Sequence, residues 1–231
     1  MKKYCVAGYR GIIGSYILRG LLKHLPVAVD IQCFDIYDTE EDKLKRIKES
    51  DVIFNCVSFN HTMPFLEKYK EQLKGKIVVD QTSWKSEVYA WSKKNYDVKV
   101  YFMHILYNPE TTPREDRQVV FFGNHMYHNW NDIFDTNIVS FISKGLEAFS
   151  IEIDEALDIS ISDHDKLMAH QQPEFYDMIN NFIEQSWKIG ADYETRNFKE
   201  LIKIRNRIKK MKPDLKEGLY RNPYYKKRMG E

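Results

Sequence analysis

The stretch Tyr4-Cys-Val-Ala-Gly8-Tyr-Arg-Gly11-Ile-Ile-Gly14-Ser15 decides the fold. Its apolar start has the character of a strand and runs straight into glycines at positions 8, 11 and 14. A second apolar run, Ile31-Gln-Cys-Phe34, follows and ends on Asp35. This is the order of parts at the start of a dinucleotide-binding βαβ unit. In such a unit Gly8 allows the sharp turn, Gly11 lets the backbone approach a pyrophosphate, and Gly14 lets the helix pack closely on the sheet. The unpaired N–H groups and the positive dipole end of that helix then face the phosphates. Asp35 would accept hydrogen bonds from the adenosine ribose and repel a 2′-phosphate, so the expected cofactor is NAD rather than NADP. Glycines at this spacing also occur in tight turns that bind nothing. The strand before, the helix after and the acid closing the next strand are the context the motif requires.

With 231 residues, the chain is long enough for one large domain or two small ones with a real core. A hydrophobic content of 43% and a net charge of +1 give no argument for a nucleic-acid or membrane-surface partner. No apolar run approaches the roughly 20 residues that span a bilayer. Met1-Lys-Lys-Tyr-Cys leads directly into the first strand with no signal-peptide pattern, so a cytoplasmic location is expected. Cys5, Cys33 and Cys56 are odd in number, fall in expected strands and lack metal-ligand spacing; they read as small apolar residues in a reducing compartment.

Strands and helices alternate through the first part of the chain. Asp51–Val57 reads as a third strand, the stretch around Met63–Leu73 as helical, and Lys76–Asp80 as a fourth strand, with further apolar runs at Val98–Ile105 and Val119–Phe122. The pattern predicts a Rossmann-type, doubly wound, largely parallel α/β sheet. Right-handed crossovers would align Gly8, Asp35, Val57 and Asp80 along one edge. Residues 131–149 have helical apolar spacing, and Ile151-Glu-Ile153 could form a last short strand. From about Asp163 the pattern stays helical. Phe175, Met178, Ile179, Phe182, Ile183 and Trp187 form one stripe, and Leu201, Ile202, Ile204 and Ile208 form another. The expected division is a dinucleotide-binding domain over 1–155 and a smaller all-helical domain over 156–231, whose broad stripes suit a homodimer. The basic tail, including Lys209-Lys210 and Lys226-Lys227-Arg228, reads as a solvated face.

Three segments could carry chemistry. Asp80-Gln-Thr-Ser83-Trp-Lys85 offers hydroxyls, an amide and an ammonium at the expected ligand edge. Phe102-Met-His104-Ile-Leu-Tyr107-Asn-Pro109 ends a strand with an imidazole, which can move a proton near neutral pH. His24, His61, His125, His128 and His170 lack such a setting. Asp163-His164-Asp165 opens the helical block, where Asp163 could act as an N-cap and the others could make only capping or interdomain hydrogen bonds. His164, Asp165 and His170 lack paired metal-ligand spacing, so no metal is expected.

These segments together resemble the prephenate/arogenate dehydrogenase family, the NAD(P)-linked enzymes of tyrosine biosynthesis, over nearly the whole chain. The family's glycine loop is similar to Gly8–Gly14, and its Asp-x-x-Ser-x-Lys segment to Asp80–Lys85. Its His-Pro-Met-Phe-Gly-Pro segment is similar to His104–Pro109, and its His-Asp-x-x-Met-Ala-x-x-Gln helix start to His164–Gln172. The resemblance implies a nucleotide-binding domain followed by a helical dimerisation domain, with substrate held between them. It implies that Gly8, Tyr9, Arg10, Gly11, Ile12, Ile13, Gly14, Asp35, Val57 and Ser58 bind the cofactor. Ser83 and His104 would be catalytic, contacting the substrate's ring hydroxyl, and His104 would withdraw its proton as hydride leaves the same carbon. Ser83, Lys85, His104, His164, Gln172, Arg196 and Lys199 would line the substrate.

The chain departs from the family pattern at several of these places. Ile105, Leu106 and Asn108 stand where the family has proline, methionine and glycine. Tyr176-Asp177 falls where a His-Phe pair is usual, and Lys199 falls where an arginine pairs with the substrate carboxylate. Lysine keeps that charge without the bidentate geometry, and Arg196 could reach in instead. Oxidative decarboxylation of prephenate or a related cyclic carboxylic acid is therefore the leading expectation. The alternatives are a related dehydrogenase or reductase on another small acid or imine, and a non-catalytic NAD-binding protein.

Overall fold

The computed structural model describes residues 2–24, 28–105, 110, 119–121, 161–188, 196–211 and 213–230. The chain divides into two compact units, Met1–Ile161 and Ser162–Glu231. The expected helix over 131–149 and strand over 151–153 lie outside the described residues, as do Leu106–Pro109.

In the first unit, β1 (Tyr4–Ala7), β3 (Val52–Asn55) and β4 (Ile77–Asp80) are buried along their whole length. Such continuous burial is what a parallel strand covered on both faces requires, and it explains their unbroken apolar runs. With β2 (Ile31–Phe34), β5 (Lys99–Ile105) and β6 (Val119–Phe121) they form one sheet in the order β2-β1-β3-β4-β5-β6. Every pair is parallel except β5–β6, where His104 stands opposite Val120. This is the doubly wound α/β class the sequence predicts, closed on one side by an antiparallel strand. The chain winds outward from β1 to β2, then returns past β1 to β3, so the direction of winding reverses between β1 and β3. In sheets of this kind ligands bind at that reversal, outside the carboxyl ends of the strands.

The third strand is shorter than expected for a local reason. The Cys56 N–H still reaches the Ala7 carbonyl at 3.0 Å, but the Val57 N–H turns to the Asn55 side-chain oxygen at 3.4 Å, and the chain leaves the sheet. The helical stretch around 63–73 is two helices, α3 (Phe59–Lys68) and α4 (Lys70–Leu73), broken at Tyr69, whose phenol donates to Glu40 at 2.8 Å. Helix α1 (Ile12–His24) follows the glycine loop, α2 (Glu40–Glu49) follows β2, and α5 (Ser86–Lys94) follows β4. Helix α2 shows how local chemistry sets a boundary. The Thr39 hydroxyl accepts from the Asp42 N–H, acids fill the first turn, and Arg46 and Lys48 occupy the last. Val6, Ile53, Leu66, Leu73, Val78 and Trp91 are among the core side chains packed between sheet and helices.

The second unit is helical, as expected. Helix α6 (Ile161–Ala169) starts two residues before Asp163, which therefore sits in the first turn and pairs with Lys166 at 3.0 Å rather than capping it. A π-helical turn, His170–Glu174, follows. Pro173 inside it has no N–H to give, so a widened turn there costs the ladder no donor. Then come α7 (Phe175–Lys188), α8 (Arg196–Lys209), α9 (Pro213–Tyr220) and α10 (Pro223–Met229). Ile179 and Ile183 of α7 are buried, whereas Phe175, Met178, Phe182 and Trp187 are exposed. Among the described residues no helix is long and apolar enough to cross a membrane.

Candidate active site

The glycine loop is built around close backbone approaches. Gly8 has φ +81°, and a Cβ there would stand 2.7 Å from the Cys56 carbonyl oxygen of the neighbouring strand end. A Cβ on Gly14 would stand 2.1 Å from the Gly8 carbonyl oxygen and 2.9 Å from the Tyr9 Cα. Only glycine lets α1 start this close to the turn. Gly11 is less restricted, its Cβ position lying 3.3 Å from the Gly8 carbonyl oxygen.

Asp35, one residue past β2, closes the loop from the other side. One carboxylate oxygen accepts the Arg10 N–H at 3.1 Å and the other the Ile36 N–H at 2.7 Å. Each oxygen keeps a lone pair for a further donor. The Arg10 guanidinium lies over the rings of Tyr9 and Tyr37, at 5.5 and 5.3 Å. Asp38 accepts the Asp35 N–H and pairs with Arg46 at 3.1 Å; chiefly that N–H, and then Arg46, hold its carboxyl below the usual carboxylate range.

A buried polar network joins the carboxyl ends of β3, β4 and β5. Asn55 donates to one oxygen of Asp80 at 3.0 Å, and Thr82 donates to the other at 2.5 Å. The Lys85 ammonium donates to that second oxygen and to the Asp80 carbonyl, both at 3.0 Å, and to the Met103 carbonyl at 2.9 Å. Both charged side chains are 0% exposed. This corrects the expectation that Lys85 contacts substrate: its three N–H donors are spent inside the protein, between the turn after β4 and the residue preceding His104. Ser83 is half-buried in that turn, and His104 is buried near the end of β5. Since β4 pairs directly with β5 and Asp80 faces Phe102, both residues follow at adjacent strand ends. Val57 is half-buried and Ser58 exposed in the turn after β3.

Cys5 and Cys56 are held in the thiol form. Burial raises the Cys5 thiol to about 12 and pushes the Cys56 thiol up as well, so neither forms a thiolate at neutral pH. Among the described residues no cluster of His, Cys, Asp or Glu could hold a metal ion.

Within the second unit, His164 is buried beside Asp165, its Nδ1 3.0 Å from the carboxylate, and Asn222 donates to the Asp165 carbonyl at 2.9 Å. Gln172 is half-buried in the π-helical turn, Lys199 is exposed on α8, and Arg196 begins that helix. Asp177, at the position where the family has part of its His-Phe pair, accepts from the phenols of Tyr220 and Tyr225. The sequence marked Gln81 and Thr82 only as part of a polar run at the ligand edge and gave no role to Asn55, whose bond to Asp80 crosses from β3 to β4. Thr82 bonds Asp80 within the turn itself.

Fold and strand-edge geometry define a class: a Rossmann-type sheet with a glycine cradle at its winding reversal, followed by a helical unit. No protein-family model matches the chain, and no curated protein matches its sequence. Solved structures do match in fold. A Corynebacterium glutamicum protein provisionally described as a prephenate dehydrogenase is 13% identical, with a TM-score of 0.65 over 99% of this chain and 78% of its own. Prephenate dehydrogenase from Aquifex aeolicus is 14% identical, with a TM-score of 0.58 over 95% of this chain and 83% of its own. At these identities the likeness concerns the fold.

Proposed function

We propose that this chain is an NAD-dependent dehydrogenase of the prephenate type, acting on prephenate or a related cyclic carboxylic acid. The observation that carries the reading is the cradle at Gly8 and Gly14, where side chains are excluded by backbone 2.1–2.7 Å from the Cβ positions. Beside the start of α1 and the anchored Asp35, that cradle fits a pyrophosphate and its ribose. Residues Gly8–Gly14 would hold the pyrophosphate, Asp35 the adenosine ribose, and Val57 and Ser58 the next part of the dinucleotide. NAD bound there supplies a hydride acceptor.

The remaining chemistry falls to the chain's own residues. His104 accepts the proton of the ring hydroxyl while hydride leaves the same carbon, so that the C–O bond becomes a carbonyl. Loss of the ring carboxylate as carbon dioxide sends its electron pair into the ring, and the carbonyl oxygen regains a proton as a phenol. Ser83 orients the hydroxyl. The protein's task is orientation and proton removal. The motif likeness assigns His164, Gln172, Arg196 and Lys199 to the substrate side, where the two cations suit a carboxylate. A cytoplasmic location goes with this reading.

The test is nucleotide reduction with NAD and with NADP against prephenate, arogenate and a panel of cyclic carboxylic acids. The expected result is turnover of at least one acid with NAD preferred about tenfold or more, since a 2′-phosphate faces the Asp35 charge and loses its hydrogen bonds. Equal use of NADP would overturn the reading of Asp35. NAD binding without turnover of any acid would instead favour a nucleotide-binding protein.

We also propose that α7 packs against a second copy of the chain through Phe175, Met178, Phe182 and Trp187, large apolar residues exposed at helical spacing. Light scattering at micromolar concentration should give about twice the chain mass of 27.6 kDa. A monomer would remove the proposal.

A further inference from the structure

The turn after β4 holds two side chains with buried polar atoms that lack partners among the described residues, the Trp84 indole N–H and the Gln81 amide, and only the amide leaves both a donor and an acceptor unmet. Asp80, Thr82 and Lys85 are tied into the network described above. Gln81 between them is only 8% exposed, yet neither its Nε2 nor its Oε1 has a hydrogen-bond partner among the described residues. Its backbone is fixed, the N–H donating to the Asn55 carbonyl at 3.1 Å, so the residue is not a frayed loop. A buried amide missing both a donor and an acceptor contact is costly to hold, and native proteins keep such groups where something else completes them.

Position and chemistry together indicate what completes it. The order β2-β1-β3-β4 takes three strand spacings, about 14 Å, from Asp35 to the turn holding Gln81. That path runs from the proposed ribose acceptor, past the pyrophosphate cradle and the turn after β3, to the strand end at which the far half of a bound dinucleotide would arrive. The orphaned atoms are of opposite kinds on one planar amide, so the best complement is another primary amide, which meets both at once. A substrate carboxylate would satisfy Nε2 alone and set like partial charge against Oε1. We propose that the Gln81 side-chain amide receives the carboxamide of the nicotinamide ring and fixes its orientation. This inference rests on the cofactor reading above.

Calorimetric titration tests it with three ligands: NAD, its 3-acetylpyridine analogue (a methyl group in place of the carboxamide nitrogen), and ADP-ribose, which has no ring at that end. The wild-type chain should bind NAD about tenfold more tightly than the analogue. Gln81→Met should weaken NAD about tenfold, bring NAD and the analogue together, and leave ADP-ribose unchanged. Gln81→Glu keeps the acceptor, so it should still discriminate against the analogue while binding both less tightly; it serves if the methionine variant does not fold. A wild-type chain that binds NAD and the analogue equally, or a Gln81→Met chain that keeps the full difference, overturns the inference and leaves the cofactor reading standing. A wild-type chain that binds neither NAD nor ADP-ribose overturns both.

Discussion

His104→Asn lowers turnover of the proposed reaction about 100-fold or more, with NAD affinity nearly unchanged. Asparagine reaches to a similar distance and still hydrogen-bonds, but it cannot take a proton. The glycine loop and Asp35 lie on β1 and β2, with β3 and β4 between them and β5, so cofactor binding should not register the change. In the wild-type chain the rate should rise with pH as the imidazole loses its proton, and the variant should lose that dependence. Ser83→Ala removes one orienting hydrogen bond and should cost less, about 5- to 30-fold. Steady-state rates across pH decide the matter. If His104→Asn keeps its activity and pH profile, another group moves the proton, and His164 is the next to test.

Gly14→Ala removes NAD binding, with affinity falling about 100-fold or more and stability by about 1–3 kcal/mol. The added carbon would stand 2.1 Å from the Gly8 carbonyl oxygen, and both that oxygen and the nearby Tyr9 Cα are backbone atoms with no rotamer to escape into. Helix α1 must move away from β1, carrying its N–H groups off the phosphate position. Gly11→Ala is the control for the fold, because its Cβ site is 3.3 Å from its nearest neighbour and needs only a small adjustment. Thermal melts and calorimetry on both variants separate the effects. A Gly14→Ala chain that binds NAD like the wild type would mean that the loop is an ordinary tight turn.

The parts of this structure legible in the sequence are those set by short-range pattern. Three glycines between an apolar strand and a helix specify a local backbone path, and Gly8 with φ +81° follows it. Apolar runs at 52–55 and 77–80 announce buried parallel strands because both faces need covering. What depends on partners distant in sequence was not legible. Lys85 looks in sequence like a cation offered to a ligand; its burial follows from the Met103 carbonyl, 18 residues away, and from Asp80. Gln81 looks like its polar neighbours, and only the saturation of those neighbours sets it apart. Boundaries shifted where side chains intervene, as at Asn55 and Tyr69, or where a helix starts early, as before Asp163.

The Asp80–Lys85 pair also constrains how this molecule can change over generations. Losing either charge alone strands the other in the interior, at about 3–5 kcal/mol, a large part of what a typical domain has in reserve. Replacing both charges removes the ion pair but strands the Asn55 amide and the Met103 carbonyl that it satisfied. Descendants therefore change this network several residues together or not at all. Meanwhile exposed positions around the frame beneath Ser83 and His104 carry no such linkage and are free to change singly.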